Sequence, residues 1–347
     1  MTKPTTFRGL ALAAAMGAAA APAAAQEAEF NLAGFYPSTL TQLGEGAKLF
    51  VDTVNLIGEG SIQINFFEPG ALVPSLEIFD AVATGSIDMG HASSGLWASK
   101  NSALVLWNAF PFGPGAGEYL AWLRYGGGEE LRNELYNPLG VHGITCGIIA
   151  PEASGWFREE ITDLAQLEGL KMRFFGLGGK VMEKLGVEVQ LLAGGDIYPA
   201  LERGTIDATE FSQPAIDQGA GLYQIAKHYY FPGWHQQATP HDLIVNIDVW
   251  NGLTEQQKGI IQTTCDAVTA IEFAQGEAIQ FEALQTMQEE GVTLHRWTDE
   301  QLATFEETWQ EVLQEEIAAN PDFARTWESI SEFRENYAIW AQYGYLD

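Results

Sequence analysis

Positive charge is scarce in this sequence: 17 lysines and arginines stand against 46 aspartates and glutamates, for a formal net charge of −29. A field of that sign repels nucleic acid and anionic membrane surfaces, so neither is expected as a partner. It also repels small anions, and an anionic ligand therefore requires a locally positive site. Most of the carboxylates serve as a solvated acidic surface. Cysteine is nearly missing as well. Cys146 and Cys265 are too few for a disulfide framework and fit no metal motif, and two buried free thiols are expected in preference to one bridge. Apart from an Ala-rich run at the start, no stretch approaches the roughly 20 apolar residues that a membrane span needs. Enzyme signatures also fail: the chain has no G-x-S-x-G elbow and no H-E-x-x-H. The six histidines are scattered, and His235 and His241, without regular ligand spacing, are read as ordinary polar or site-lining residues.

What is present is a chain of 347 residues, 46% hydrophobic and 12% aromatic, enough for two cores. It begins with Lys3 and Arg8, an Ala-rich apolar run, and Ala23-Ala24-Ala25 ahead of Gln26. These are the charged region, apolar region and small-residue cleavage site of an export signal. Residues 1–25 are therefore set apart from the fold, with cleavage near Ala25 and an exported mature protein.

A pattern is written twice, as "EIFDAVATGSIDMGH" over 77–91 and "DIYPALERGTIDATE" over 196–210. Each copy reads as a helix, a stop glycine and a strand. The first lies in β-α-β-α-β wording that runs from "EFNLAGFYP" through "SIQINFFEP" to "SIDMGHAS"; the second follows the strand "LKMRFFG" and the helix-to-strand stretch "GKVMEKLGVEVQ". Two similar α/β domains with mostly parallel sheets follow from this grammar. Thr254-x-x-Gln257 and Thr298-x-x-Gln301 open long acidic C-terminal helices as capping boxes, the first long enough to cross both domains. Trp327, Phe333, Tyr337 and Trp340 give the last segment an apolar stripe for packing.

"FFGLGGKV" over 174–181 is a glycine-rich turn between strand and helix, but Phe174 and Val181 stand where a phosphate-binding loop needs Gly and Ser or Thr. Nucleotide binding is excluded. Arg173, at the C-terminal end of its strand just before that turn, is placed where open α/β sheets bind ligands, and its guanidinium can hold a carboxylate bidentately. Glu210-Phe211 ends the second repeat strand where the first has His91, and a carboxylate there is either a partner for Arg173 or a ligand for a hard cation such as Na⁺ or Ca²⁺. In "HYYFPGWHQQATPHDLIVN" over 228–246, Tyr229 and Tyr230 are assigned to core packing, with Trp234 and Gln236 beside the Pro232-Gly233 turn as site candidates.

"DLAQLEGLKMRFFGLGG", "DIYPALERGTIDATE" and "YYFPGWHQ", in this order after an export signal, resemble the solute-binding subunits of tripartite ATP-independent periplasmic (TRAP) transporters, in particular the branch that binds 2-oxo acids and related monocarboxylates. The resemblance implies a periplasmic two-domain clamp, with hinge strands and a long spanning helix, that closes on a carboxylate and delivers it to membrane subunits. By this resemblance Arg173 is the anion clamp, Glu210, the Phe211 backbone and Gln236 hold a metal ion (Na⁺ or Ca²⁺), and Glu152 touches ligand or ion. The branch has Glu where Gln236 stands and Gln where Glu152 stands, and it places tyrosines near Trp97, where this chain has Gly95-Leu96. Trp97, Trp234 and Phe211 complete the expected substrate-binding set. The branch also includes dimers joined through C-terminal helices, so a homodimer through that tail is a further expectation.

The expected division is residues 26–150 plus 239–278 for the first domain and 151–238 plus 279–347 for the second. The rival readings are an exported enzyme acting on a small carboxylate, with Glu210 or Glu152 as acid or base, and a sensory or adhesive module using the same clamp.

Overall fold

The computed structural model describes Met1 and residues 28–345 of the chain, so the export signal expected over 1–25 falls outside the described residues apart from Met1. Its strands are β1 (Ala28–Gly34), β2 (Ile62–Phe67), β3 (Met89–Ala92), β4 (Val141–Ile149), β5 (Gly155–Phe157), β6 (Lys171–Arg173), β7 (Glu188–Gln190), β8 (Ala208–Thr209), β9 (His228–Phe231), β10 (Thr239–Asn246) and β11 (Thr293–Arg296). They form two sheets, ordered β2-β1-β3-β10-β4 and β11-β9-β5-β8-β6-β7. Parallel pairs β1–β2, β1–β3, β6–β7, β6–β8 and β9–β11 predominate, while β10 and β5 run antiparallel to their neighbours. The result is an α/β molecule of two mostly parallel sheets, as the helix-strand alternation of the sequence requires.

The repeat forms the same local structure twice. Helix Ile78–Ala83 is ended by Gly85 at φ 73°, and helix Gly194–Glu202 by Gly204 at φ 70°. A left-handed glycine reverses the chain without Cβ strain and sends it into the next strand, β3 in one case and β8 in the other.

The chain passes between the sheets twice near the site: from β4 to β5 through residues 150–154, and from β9 to β10 through 232–238. The two crossovers are hydrogen-bonded to each other, Glu152 N–H donating to the Gln236 carbonyl at 3.2 Å and Gly233 N–H to the Glu152 carbonyl at 3.0 Å. Behind them runs the helix Glu255–Glu289, opened by the capping box of Thr254 with Gln257. Its first half contributes Ile261, Cys265 and Val268 to the core under the first sheet, and its last turns contribute Ala283 and Met287 to the core of the second.

Cys146 of β4 and Cys265 of this helix form a disulfide, with Cα atoms 4.2 Å apart, which corrects the expectation of free thiols. The cause is tertiary: the helix lies directly on β4, a contact between distant segments that cysteine spacing does not reveal.

The two C-terminal helices pack on different parts of the molecule. Helix Asp299–Ala319 packs against helix Gly176–Lys184, with a Lys180–Glu316 ion pair and Lys184 2.7 Å from Glu315. The last helix, Pro321–Gly344, instead packs on residues 102–136, beside the first sheet: Trp122 Nε1 donates to Ser329 at 3.2 Å and the Trp327 ring meets Phe110 edge-on. Its buried Phe323 and Ile330 need the aromatic surface that this region offers.

Candidate functional site

Because β6 and β8 are parallel neighbours, their C-terminal ends open at one edge, and they deliver Arg173 and Glu210 side by side. Arg173 Nη1 donates to Glu210 Oε2 at 2.6 Å and to the Glu210 carbonyl at 2.9 Å; the Phe175 N–H is a second donor to Oε2 at 3.0 Å. Both side chains are buried. The Phe211 ring lies 5.7 Å from the guanidinium.

The crossovers add Glu152 and Gln236. Thr239 Oγ1 donates to Glu152 Oε1 at 3.0 Å, and Gln236 Nε2 donates to the same hydroxyl at 2.9 Å. The first sheet supplies the opposite wall through Tyr36 after β1, Ser93 after β3, and His241 in β10, with the Tyr36 hydroxyl 3.3 Å from Ser93 Oγ. These groups enclose about 20 Å³ of free space, floored by the apolar side chains of Leu43, Leu96, Ile149 and Phe175. That volume suits one water-sized occupant. Beside it a groove of about 420 Å³, bounded by Pro37 and Leu40 on one side and Gly194 and Tyr198 on the other, shares Tyr36 and Phe211 with the cavity. A larger surface groove, about 540 Å³, lies between residues 126–134 and the last helix; its carboxylates are not buried and converge on nothing, so size does not select the site.

The electrostatics are lopsided. Arg173 is the sole lysine or arginine lining the cavity among the described residues. Burial, and then the neighbouring Glu210, hold the Glu152 carboxyl well above the usual carboxylate range. Burial pushes the Tyr36 hydroxyl up to about 12 and the His241 imidazole down to about 3, and it lowers His91 behind it. The first-sheet wall is thus neutral. Several buried polar atoms of the lining have no hydrogen-bond partner: Glu152 Oε2, Gln236 Oε1, Ser212 Oγ, and both ring nitrogens of His241. Buried donors and acceptors left unpaired are costly, and their convergence on one void marks a binding site. Glu152, Glu210 and His235 place three ligating atoms within 4.8 Å of one another, a donor set suited to a cation.

The structure thus brings together five of the residues singled out from sequence: Glu152, Arg173, Glu210, Phe211 and Gln236. Two others are not in the lining. Trp97 packs on Phe79 at 4.9 Å and on Tyr136, because the 3₁₀ turn Ser94–Trp97 presents Leu96 to the cavity and its neighbour to the core. Trp234 stacks on Phe305 at 4.6 Å and Phe112 at 6.1 Å, joining the helix Asp299–Ala319 to the crossover. Sequence reasoning missed Tyr36, Ser93 and Thr239. A signal was available for the first two: each follows a strand of the parallel set at its C-terminal end, the rule that found Arg173. His235 went unselected because its neighbours in space, Glu152 and Glu210, lie far away in sequence.

Comparison with known proteins places this arrangement. Residues 33–320 match the model of the bacterial extracellular solute-binding proteins, family 7 (DctP). A monocarboxylate 2-oxoacid-binding periplasmic protein of Nostoc sp. is 35% identical over 295 residues, covering 85% of this chain and 81% of that protein. Among solved structures, a TRAP transporter solute-binding protein from Bordetella bronchiseptica, with copurified calcium and picolinate in its active site, superposes with a TM-score of 0.89 at 32% identity, over 91% of this chain and 94% of the other. A TRAP periplasmic solute-binding protein from Pseudoalteromonas atlantica, with bound sodium and pyruvate, gives 0.88 at 29% identity, over 92% and 97%.

Proposed function

This chain belongs to family 7 of the bacterial extracellular solute-binding proteins, and we propose that the solute it captures is a small 2-oxo or 2-hydroxy monocarboxylate, taken up together with a metal cation. It is a transport receptor of the TRAP type, not an enzyme, and transporter membrane subunits are its partners. The observation that carries the choice of solute is that one guanidinium, Arg173, faces a wall otherwise made of carboxylates, neutral polar groups and apolar side chains. A monocarboxylate can pair bidentately with it. A dicarboxylate would bring a second charge to a wall that has no second cation for it.

The cation resolves the other half of the problem. Glu152 and Glu210 repel an anion, and a metal ion held by Glu210, the Phe211 carbonyl and Gln236 reverses the local potential and offers a contact to the 2-oxygen of the solute. The ions seen in relatives are calcium and sodium. Leu43, Leu96 and Ile149 suit the short hydrocarbon part of such a solute. Entry runs through the groove past Tyr36 and Phe211, and the two sheets with their helices part and close about crossovers 150–154 and 232–238. In the cell the leader is removed near Ala25, leaving the mature protein in the periplasm, and the exposed Ile339, Trp340 and Tyr343 of the last helix support a homodimer through the C-terminal helices.

A panel of 2-oxo, 2-hydroxy and dicarboxylic acids, run by thermal shift with and without Na⁺ or Ca²⁺, tests the assignment. The true solute at a hundred times its dissociation constant adds about 2.7 kcal/mol. Stabilisation by dicarboxylates in preference to pyruvate and lactate, or by none of the acids, would overturn it.

A further inference from the structure

The wall that the first sheet gives to the cavity contains a side chain that no other part of the protein satisfies. His241 of β10 is 1% exposed and lines the void, and neither ring nitrogen has a hydrogen-bond partner. Burial, and then His91 beside it, push the imidazole down to about 3, so the ring is neutral, with a proton on one nitrogen and a lone pair on the other. Tyr36 and His91 approach it only with their rings, whose centroids lie 6.3 and 6.2 Å away, and the Tyr36 hydroxyl is engaged with Ser93 at 3.3 Å. A buried N–H without an acceptor is destabilising and calls for an explanation.

The backbone aims this side chain. β10 pairs with β4 as far as Pro240 opposite Ile148 and resumes at Asp242 opposite Thr145, so Cys146 and Gly147 together face His241 in a bulge. Such an insertion bends the strand and re-aims the side chains around it. Gly147 stands at φ 150°, and a Cβ there would come within 2.2 Å of Glu272 Oε2, so the bulge depends on glycine. Asn108 Nδ2 donates to the Pro240 carbonyl at 2.8 Å, and His91 Nε2 lies 3.1 Å from the Cys146 carbonyl, which fixes the segments on either side of His241.

We infer that His241 is a specificity-determining residue of the cleft, whose ring N–H pairs with the oxygen on carbon 2 of the solute and so separates 2-oxo and 2-hydroxy monocarboxylates from acids that lack that oxygen. The inference rests on the reading of the site as a carboxylate receptor and adds the residue that reads the 2-position. Arg173 belongs to the second sheet and His241 to the first, so a solute whose carboxylate sits on the guanidinium turns its other end towards the imidazole. Propionate would bring a methylene there and leave the N–H unpaired, whereas pyruvate and lactate bring an acceptor. A carbonyl or hydroxyl oxygen has two lone pairs, so contact with a bound cation does not exhaust it. The other polar groups nearby are already occupied: Tyr36 and Ser93 engage each other, and Thr239 donates to Glu152. A charged donor would attract any anion, while a neutral one discriminates through pairing alone.

The test is calorimetric titration of the mature protein with pyruvate, lactate and propionate in excess Na⁺ and Ca²⁺. Wild type should prefer pyruvate or lactate to propionate by at least about tenfold. His241→Phe keeps an aromatic ring but no N–H; it should lower pyruvate affinity about tenfold or more and leave propionate affinity within about threefold. His241→Asn and His241→Gln place an amide N–H near the positions of Nδ1 and Nε2 respectively, and at least one of them should recover most of the loss. A readout on wild type alone uses ¹⁵N-histidine labelling: pyruvate should shift an imidazole N–H resonance, and protect it from exchange, where propionate leaves it unchanged. The inference alone is overturned by wild type that binds propionate as tightly as pyruvate and lactate or more tightly, by a His241→Phe variant that loses both acids equally or neither, by no recovery with either amide, or by no imidazole N–H that responds to pyruvate. Failure of wild type to bind any of the three acids sinks the receptor reading beneath it.

Discussion

Each half of the molecule contains a buried arginine paired with a carboxylate, and the two pairs differ in what surrounds them. Arg132 and Asp242, beside the first sheet, are both fully buried, with Nη1 2.7 Å from the carboxylate. Their remaining capacity is largely consumed: Arg132 also donates to Thr145 Oγ1 and the Gly143 carbonyl, and the Tyr136 hydroxyl donates to Asp242. Arg173 and Glu210 are 2.6 Å apart, yet they border a void in which Glu152, Gln236 and His241 have atoms without partners. Burial and ion pairing are common to both. A satisfied network is a structural element, and an unsatisfied one beside free space is a site.

The contrast can be broken in three places. Arg132→Ala leaves Asp242 buried without its counter-ion and should cost about 3–5 kcal/mol of stability, read as a lower melting temperature. The affinity of the surviving folded fraction for its solute should be unchanged. Arg173→Ala should show the reverse emphasis, with solute binding reduced at least about a hundredfold by calorimetry, the loss expected when a charge-assisted pair is removed. If the two substitutions alter binding equally, the distinction between the pairs fails.

The smallest effect is a pH slope. Asp217, buried and accepting from Trp156 Nε1 at 2.7 Å and the Tyr229 hydroxyl at 2.8 Å, has its carboxyl raised by burial to about 7. Its folded pKa exceeds the unfolded value of 3.8, so the native state retains a proton that the unfolded chain releases. Stability from this group is therefore fully present below pH 3.8 and is lost as pH rises through about 7. Asp217→Asn keeps an oxygen for both donors and should flatten that slope, gaining on the order of 1–3 kcal/mol at pH 8 in denaturant titrations. An unchanged slope would show that Asp217 is ionised in the fold.

How much of this could be read in advance depended on the range of the interactions. The repeat, its stop glycines Gly85 and Gly204, and the capping boxes at Thr254 and Thr298 are local, and each forms as its sequence indicates. Arg173 and Glu210 were legible because a strand's end is a local feature and parallel neighbours share an edge. The Cys146–Cys265 bridge and the packing of Pro321–Gly344 beside the first sheet depend on which distant surfaces meet, and periodicity carries no record of that. Trp97 and Trp234 show the same limit at the scale of one residue. An aromatic beside a turn can face either way, and the large apolar rings of Phe79 and Phe305 drew them into the core.

The paired crossovers have one more consequence. In the proposed clamp, Glu152 and Gln236 would lie on the pivot itself, where a swing of the two halves displaces atoms least, while Tyr36 and Ser93 would sit on one moving arm and Arg173 on the other. A solute would then meet the stationary groups in nearly their final positions and acquire its grip from the arms afterwards. Residues on the pivot would then govern how fast it is recognised, and residues on the arms how long it stays.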